Sequence, residues 1–277
     1  MNQITIDEII KRALIEDMNY GDITTESLGL VERQIGAKLR AKESGTLSGL
    51  EVFKRVFELV DAEIEVTLHY GDGEVVRQGD EVAYLRGRAI SVLKAERTAL
   101  NLLQRMSGIA TITAKYVEAV RPFSSRIVDT RKTAPGLRLL DKQAVLHGGG
   151  YNHRFNLSDA VMIKDNHIRA VGSILEAVRQ ARAVIPHTMR IEVEVESLKE
   201  LEEAIDAGAD IVMLDNMTGD VMEEAVKINR GRVILEASGN VTLKTVEKIA
   251  QTGVDVISVG ALTHSVKAMD LSLKFDL

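Results

Sequence analysis

The chain has 277 residues, of which 45% are hydrophobic and 27% are charged, and its formal net charge is −6. This composition supplies enough apolar material for one large or two moderate folded domains and excludes a largely disordered chain. The net negative charge argues against a nucleic-acid-binding surface, because such a surface needs a clustered excess of Lys and Arg. The absence of cysteine excludes disulfides, thiolate nucleophiles and cysteine-based metal sites.

The amino-terminal segment lacks the pattern of a secretion signal. Asp7 and Glu8 stand where a signal peptide carries positive charge, and no apolar run approaches membrane-spanning length. Together with the lack of cysteine, this pattern predicts a cytoplasmic protein that binds neither membranes nor nucleic acid.

The first part of the chain has the pattern of a small α+β domain. A helical pattern at Ile6 to Asp17 comes first, and the turn residues Gly71 to Gly73 and Gly79-Asp80 separate short strands. Two helical patterns follow, roughly Ala89 to Met106 and Ile109 to Val120. The predicted strands are Ala37 to Ala41, Glu63 to Leu68 and Glu81 to Leu85.

From about residue 126 onward, short apolar runs alternate with amphipathic helical patterns, two of which end at Gly208 and Gly231. Repeated βα units with strands buried on both faces favour a parallel α/β barrel over an open doubly wound sheet. We therefore predict one domain over residues 1–115 and a barrel over 116–277, whose last segment is able to pack back on the first domain. The predicted barrel strands are Ile127 to Thr130, Val161 to Lys164, Ile191 to Glu196, Ile211 to Asp215, Val233 to Ser238 and Val256 to Gly260.

Polar residues stand at the end of almost every predicted barrel strand. Because a barrel keeps its active site at the carboxyl ends of its strands, these residues are expected to share one rim. They are Arg131 and Lys132, Lys164, Glu194, Asp215, Ser238, and Ser258 with Gly260.

Cationic residues are densest between Thr130 and His167. This segment contains Thr130 to Thr133, Gly148 to Gly150, His153-Arg154 and Lys164 to His167. Arginine grips carboxylate or phosphate with paired hydrogen bonds and lysine supplies a compact charge, so the cluster predicts a ligand with more than one anionic group. An Arg-Lys pair alone is typical of solvated surface, and three glycines alone are typical of a flexible turn.

Glu194 and Asp215 end consecutive predicted strands, so their carboxylates are expected to face the basic cluster. Together they have the chemistry to hold Mg²⁺ through oxygen ligands or to stabilise positive charge on a sugar. A salt-bridge network that only keeps the basic side chains in place is the alternative.

The last two predicted strands lead into small and polar residues, Ser238 to Asn240 and Ser258 to Ala261. Barrels often bind phosphate at this place through backbone amides, so the pattern predicts a phosphate site. His264 follows closely and is a candidate for the same site, although a lone histidine is more often structural.

Taken together, these motifs resemble the quinolinate phosphoribosyltransferase family along almost the whole chain. Small departures occur at Asp141, where the family usually has glutamate, and at Gln143, where it often has an aromatic residue. The matching pieces are Glu16-Asp17, Gly21 to Thr24, Glu96 to Asn101, Ser107 to Thr111, Thr130 to Thr133, Lys142 with Ala144-Val145, His153-Arg154, Lys164 to His167, Leu214 to Met217, Glu236 to Gly239, Gly253 to Asp255, and Ser258 to Gly260.

The resemblance implies an α/β fold in which an N-terminal α+β sandwich domain precedes an open, seven-stranded TIM-like barrel. It also implies a homodimer in which each N-terminal domain caps the partner's barrel, and it leaves higher oligomers open. Arg97 would then reach into the neighbouring site, whereas on sequence alone it is only a charge on a helix surface.

The resemblance further implies phosphoribosyl transfer from phosphoribosyl pyrophosphate to quinolinate, with decarboxylation, giving nicotinate mononucleotide, pyrophosphate and carbon dioxide. The implied cofactor is Mg²⁺, held by Glu194 and Asp215, and the implied catalytic residues are Lys132, Lys164, Glu194 and Asp215. The implied substrate-binding residues are Arg97, Arg131, His153, Arg154 and Lys164 for quinolinate, Lys132, Glu194 and Asp215 for ribose, pyrophosphate or magnesium, and Ser238, Gly239, Gly260 and His264 for the 5-phosphate, with Thr130, Asn240 and Ser258 beside them.

Three alternatives remain at this point. A related phosphoribosyltransferase-like protein associated with molybdenum transport would use another acceptor. A Schiff-base aldolase would use Lys164 as its nucleophile, because that lysine ends a barrel strand. A non-catalytic anion sensor would explain the basic cluster but not the facing carboxylates.

Overall fold

The computed structural model describes residues 2–30 and 33–276, which fold into two compact units. The first unit takes the residues up to Ala114, Ala134–Gly149 and those from Val266 onward, and the second takes Lys115–Thr133 and Gly150–Ser265. The units therefore alternate along the chain, whereas the predicted domains are contiguous. Met1 and Leu277, the outer ends of the predicted domains, lie outside the described residues.

The first unit is built on a four-stranded antiparallel sheet with strand order β12-β1-β5-β3. Helix α3 buries one apolar face, where the rings of Phe53 and Phe57 meet edge to face at 5.0 Å. The elements of this unit are α1 (Gln3–Asp17), α2 (Ile23–Ser27), β1 (Gln34–Ala41), β2 (Gly45–Thr46), α3 (Leu50–Val60), β3 (Glu65–Leu68), β4 (Val75–Val76), β5 (Glu81–Arg88), most of α4 (Ala89–Val120), α5 (Arg138–His147) and β12 (Leu271–Asp276).

The two predicted helices at 89–106 and 109–120 form one continuous helix, α4. Gly108 does not break it, because its missing side chain allows close packing: a Cβ there would lie 2.2 Å from the carbonyl oxygen of Lys267. Although α4 has 32 residues, neither it nor any other helix in the described part of the chain is apolar enough to cross a membrane.

Helix α5 has no counterpart in the sequence-based prediction. Its buried Asp141 accepts two hydrogen bonds of 2.8 Å from Arg105 of α4, and a third from the backbone of Ala134. This shorter acidic residue, one of the two departures from the family pattern, therefore has its own structural partner. Gln143 lies within 2.8 Å of the His147 ring.

The second unit contains a six-stranded parallel sheet with strand order β6-β11-β10-β9-β8-β7, which confirms the predicted α/β architecture. Tyr151 adds a single parallel bridge to Val128 of β6, so among residues 2–30 and 33–276 the seventh strand of the predicted barrel is reduced to this one residue. The elements are β6 (Arg126–Val128), β7 (Val161–Ile163), α6 (Asp165–Val171), α7 (Ile174–Val184), β8 (Ile191–Val195), α8 (Leu198–Asp206), β9 (Ile211–Asp215), α9 (Gly219–Asn229), β10 (Ile234–Ser238), α10 (Val246–Gln251), β11 (Val256–Ser258) and α11 (Ala261–His264).

Local sequence explains where the helices of this unit begin and end. The hydroxyls of Ser173 and Ser197 accept hydrogen bonds from backbone amides in the first turns of α7 and α8. Gly208 and Gly231 follow α8 and α9 with positive φ, as the sequence predicts. The strands are thus held in a fixed register, with Ser238 beside Asp215 and Ser258 beside Val128.

Candidate active site

A cavity of about 790 Å³ opens at the carboxyl ends of the parallel strands in the second unit. This is the rim at which the sequence predicts the site. Its lining residues are Thr130, Arg131, Lys132, His153, Arg154, Met162, Lys164, Met213, Asp215, Asn216, Glu236, Ser238, Gly239, Asn240, Val241, Thr242, Ser258, Gly260, Ala261 and His264.

The loop after β6 brings Arg131 and Lys132 to the rim in a fixed conformation. The hydroxyl of Thr130 accepts a hydrogen bond of 3.0 Å from the backbone N–H of Lys132. The carbonyl of Lys132 accepts one of 2.9 Å from the Thr263 hydroxyl. Both cationic side chains are exposed toward solvent, so an anionic ligand can reach them.

Buried Asp129 holds the next segment of the site. It accepts hydrogen bonds from the Asn152 side chain at 2.6 Å and from the backbone N–H of His153 at 2.9 Å. The His153 Nδ1 in turn accepts a hydrogen bond of 2.7 Å from the backbone N–H of Arg154. The position of the His153 ring is therefore set by backbone contacts on one side.

Arg154 is partly buried and its guanidinium is anchored. It donates to the carbonyl of Ala160 at 2.9 Å and contacts the Met162 sulfur at 3.6 Å. Burial, and after it the charge of Arg131, lowers the pKa of Arg154. The two guanidinium groups repel each other beside the cavity, and an anion bound between them would relieve this repulsion.

Lys164 follows β7 and forms an ion pair with Glu194 of β8. The backbone N–H of Lys164 donates to the His167 ring at 2.9 Å, which fixes the start of α6. Lys164 lines the cavity, whereas Glu194 is not among the described residues that line it. In this structure Glu194 therefore contacts the rim through its ion pair with Lys164, and its contact with a ligand stays a prediction.

Asp215 lies at the end of β9 and is held by its neighbour. Asn216 donates to a carboxylate oxygen of Asp215 at 2.8 Å and accepts from the Asn240 side chain at 3.2 Å. Asn216 and Asn240 both have positive φ, of 53° and 52°. Such conformations are uncommon outside glycine, and asparagine is one of the residues that adopt them most readily.

We expect Gly239→Ala to impair this part of the site strongly. Gly239 has φ of +98°, and an added Cβ would lie 2.1 Å from the Asn216 Oδ1. Backbone strain and the clash together are expected to lower the free energy of unfolding by about 2–4 kcal/mol. Thermal unfolding measures this loss.

Gly208→Ala is the matched control, because φ is +85° there and no other described residue, apart from the two chain neighbours, has an atom within 4 Å of the added Cβ. It carries the backbone strain without the clash. Equal losses for the two variants would contradict a requirement for glycine at the site.

Two buried glutamates, Glu192 and Glu236, lie next to the His153 ring. The His153 Nε2 is 3.2 Å from a carboxylate oxygen of Glu192 and 3.5 Å from one of Glu236. Both glutamates are 3% exposed. Burial, and then repulsion from Glu192, raises the pKa of Glu236 to about 7, against the opposing effect of His153.

Sequence reasoning missed Glu192 and Glu236 as site residues, since both lie inside runs interpreted only as buried strands. Strand alternation was the available signal, because residues two positions apart in a strand point to the same face. Glu192 therefore shares a face with Glu194, and Glu236 shares one with Ser238. Met162, Met213 and Asn216 were also missed.

The cavity brings together almost all residues predicted from sequence. Arg97 is exposed on α4 in the first unit and does not line it. The predicted residues that do line the cavity are Thr130, Arg131, Lys132, His153, Arg154, Lys164, Asp215, Ser238, Gly239, Asn240, Ser258, Gly260 and His264.

Comparison with family models covers most of the chain. Residues 22–107 match the N-terminal domain of quinolinate phosphoribosyl transferase, and residues 109–274 match its C-terminal domain.

Similar proteins match over most of their length. A probable nicotinate-nucleotide pyrophosphorylase (carboxylating) of Bacillus subtilis is 44% identical over 100% of this chain and 96% of its own. A mitochondrial quinolinate phosphoribosyltransferase (decarboxylating) of Nicotiana tabacum is 44% identical over 97% of this chain and 82% of its own. The crystal structure of NadC from Streptococcus pyogenes has a TM-score of 0.95 at 48% identity, covering 99% of this chain and 97% of that one.

Proposed function

We propose, from the premise that the chain belongs to the quinolinate phosphoribosyl transferase family, that it transfers the phosphoribosyl group of phosphoribosyl pyrophosphate to quinolinate and releases carbon dioxide. The products are nicotinate mononucleotide and pyrophosphate. One structural observation carries the proposal: four cationic side chains and the Asp215 carboxylate line a single cavity. Arg131, Lys132, Arg154 and Lys164 are the four cations.

Quinolinate has two neighbouring carboxylates, and the basic side of the cavity suits them. Arg131 and Arg154 can each grip a carboxylate with paired hydrogen bonds, and Lys164 adds a compact charge. His153 lies beside them, but its Nδ1 accepts a backbone hydrogen bond and its Nε2 faces Glu192 and Glu236. We therefore assign to His153 a contact through the ring edge rather than a hydrogen bond to a carboxylate.

Phosphoribosyl pyrophosphate would occupy the other side of the cavity. The 5-phosphate would contact Ser238, Gly239 and Gly260, with His264 beside them, and Lys132 would contact pyrophosphate. The lack of a side chain at Gly260 leaves room beside this part of the cavity. An added Cβ there would lie 3.1 Å from His264 and 3.2 Å from Lys132. Thr130, Asn240 and Ser258 complete this lining.

Mg²⁺ is part of the proposal. The Asp215 carboxylate lines the cavity and would supply one of the one or two protein oxygens that Mg²⁺ usually takes in phosphate sites, whereas Glu194 would supply a second only by exchanging its ion pair with Lys164 for the metal. Asp215 also accepts a hydrogen bond from Asn216, which orients its oxygens. When bound, Mg²⁺ would neutralise charge on the leaving pyrophosphate.

The residues of the cavity would promote displacement at the anomeric carbon in two ways. The arginines align the pyridine nitrogen by holding both carboxylates, so orientation lowers the barrier. Asp215 stabilises the positive charge that develops on the ribose as pyrophosphate leaves. Decarboxylation of the mononucleotide then follows.

A homodimer would complete the site, since the family resemblance assigns Arg97 to the neighbouring active site. Arg97→Ala and Arg131→Ala subunits are each expected to be nearly inactive as homodimers. Mixed after unfolding and refolding together, they would form heterodimers that contain one site with both arginines, so activity should return to about a quarter of wild type for random pairing. No recovery in subunits shown to mix would contradict sharing of Arg97.

The cytoplasmic location expected from the sequence is also part of the proposal.

The alternatives make different predictions. The ion pair of Lys164 with Glu194 opposes a role as a Schiff-base nucleophile. A transferase with another acceptor is separated by incubating the protein with phosphoribosyl pyrophosphate, Mg²⁺ and either quinolinate or nicotinate. Pyrophosphate release in the presence of quinolinate but not in the presence of nicotinate supports the proposal. If the protein still binds phosphoribosyl pyrophosphate but releases no pyrophosphate with either quinolinate or nicotinate, the proposal is wrong.

A further inference from the structure

The buried carboxylates of Glu192 and Glu236, which both lie near the His153 Nε2, have no role in the phosphoribosyl transfer described above. Glu236 lines the cavity although it is only 3% exposed. It lies on β10 two residues before Ser238, and Glu192 lies on β8 two residues before Glu194. Two carboxylates with little solvent are costly unless a proton or a cation compensates them.

The contacts of His153 decide between a proton and a cation. The Nδ1 of His153 accepts the backbone N–H of Arg154 at 2.7 Å, so this nitrogen carries no proton. The neutral ring must therefore carry its proton on Nε2, which points at both carboxylates. A protonated nitrogen has no lone pair for a metal, so the geometry favours hydrogen bonding and a protonated carboxyl over a cation.

The carboxyl group of Glu236 is the candidate to carry that proton, because one of its two oxygens lacks a hydrogen-bond partner in the described part of the chain. Its Oε2 faces the His153 Nε2 at 3.5 Å, whereas its Oε1 is buried and has no hydrogen-bond partner among residues 2–30 and 33–276. The ionisable groups around Glu236 are Glu192 from β8, Asp129 after β6, and His153. Burial first, and then the charges of Glu192 and Asp129, raise the pKa of Glu236, so its acid form persists to higher pH than usual and is lost as the pH rises through that pKa.

We propose that Glu236 donates the proton that replaces the departing carboxylate on the pyridinium ring. In this step the bond between ring carbon and carboxylate breaks, carbon dioxide leaves, and the electron pair remains on carbon. That pair takes the proton from the Glu236 carboxyl, a C–H bond forms, and the resulting Glu236 carboxylate regains a proton from solvent. The inference rests on the proposed function, because the mononucleotide with both carboxylates must form first.

Glu192 and His153 act as positioning residues in this step. Glu192 disfavours a second negative charge on its neighbour, and the His153 Nε2 lies between the two carboxylates, 3.2 Å from Glu192 and 3.5 Å from the Glu236 Oε2, and so keeps them in place. Proton capture makes loss of carbon dioxide irreversible, since otherwise the ring carbanion can recapture it.

Glu236→Gln tests the proposal, because glutamine keeps the shape but supplies no acidic proton. In single-turnover reactions with quinolinate, phosphoribosyl pyrophosphate and Mg²⁺, we expect pyrophosphate release within about threefold of wild type. Carbon dioxide release is expected to slow about 100-fold, the usual scale of a general acid, and the mononucleotide with both carboxylates should accumulate. Glu202→Gln, on the exposed face of α8, is the control for the chemical change.

The two product signals separate the possible failures. Parallel loss of pyrophosphate and carbon dioxide release in Glu236→Gln, with an unchanged thermal melt, would show that Glu236 supports the whole site and would overturn its role as proton donor. Carbon dioxide release that keeps pace with pyrophosphate release would overturn it as well. Absence of pyrophosphate release in the wild-type protein would instead contradict the proposed function.

Discussion

Replacing Arg131 with alanine is expected to lower kcat/KM for quinolinate about 1,000-fold. Arg131 lines the cavity beside Arg154, and the side chain supplies a planar pair of donors that nothing in alanine replaces. Loss of one member of a charged, hydrogen-bonded contact costs about 2–5 kcal/mol, and each 1.4 kcal/mol is tenfold in rate. Initial rates at varied quinolinate concentration measure the effect.

The variant should keep its fold, because Arg131 is exposed in the loop after β6. Arg179→Ala is the matched control, since Arg179 pairs with Glu176 on the surface of α7 with a side chain that is 67% exposed. We expect less than a twofold change in kcat/KM for this control. If Arg131→Ala kept the wild-type kcat/KM, the assignment of quinolinate to the basic side of the cavity would be wrong.

Asp215→Asn is expected to lower kcat about 100- to 1,000-fold, on the scale of losing one preorganised electrostatic contact in a transition state. Asparagine preserves size but removes the negative charge that we assign to the developing positive charge on ribose and to Mg²⁺. Because the charge acts mainly in the transition state, KM for phosphoribosyl pyrophosphate should change much less than kcat. Steady-state rates at saturating Mg²⁺ measure both constants.

Asp206→Asn controls for the same substitution at the surface, where the Asp206 side chain is 79% exposed at the end of α8. Its kcat should equal that of the wild type. A large increase in KM at unchanged kcat in Asp215→Asn would assign Asp215 to ground-state binding and contradict its role in the transition state.

The placement of the site was predictable from the sequence because parallel strands bring their carboxyl ends to one edge. Lys164, Asp215, Ser238 and Ser258 each follow or end an apolar run, and all four line the cavity. Chain direction and strand period alone carry this inference.

Glu194 and Arg97 show where this reasoning stops. Position at a strand end fixes the face of Glu194 but not its partner, and its pairing with Lys164 depends on side-chain geometry between two strands. For Arg97, exposure on a helix gives no local sign of function. Its assignment depends on a second subunit, which no pattern within one chain describes.

The buried pair and the long helix were not predictable from residue types alone. Glu192 and Glu236 interrupt apolar runs, and a charged residue there is compatible with a core pair, a site or a different strand register. Gly108 weakens a helical pattern locally, yet close packing against Lys267 keeps α4 continuous. In both cases tertiary contacts override the local signal.

The most direct measurement is the stoichiometry of the complete reaction. The purified protein would be incubated with phosphoribosyl pyrophosphate, Mg²⁺ and quinolinate labelled with ¹³C in its 2-carboxylate. We predict equal amounts of nicotinate mononucleotide, pyrophosphate and labelled carbon dioxide, all abolished by chelating Mg²⁺. Binding of both substrates without any of these products would contradict the transferase and leave an anion-binding barrel.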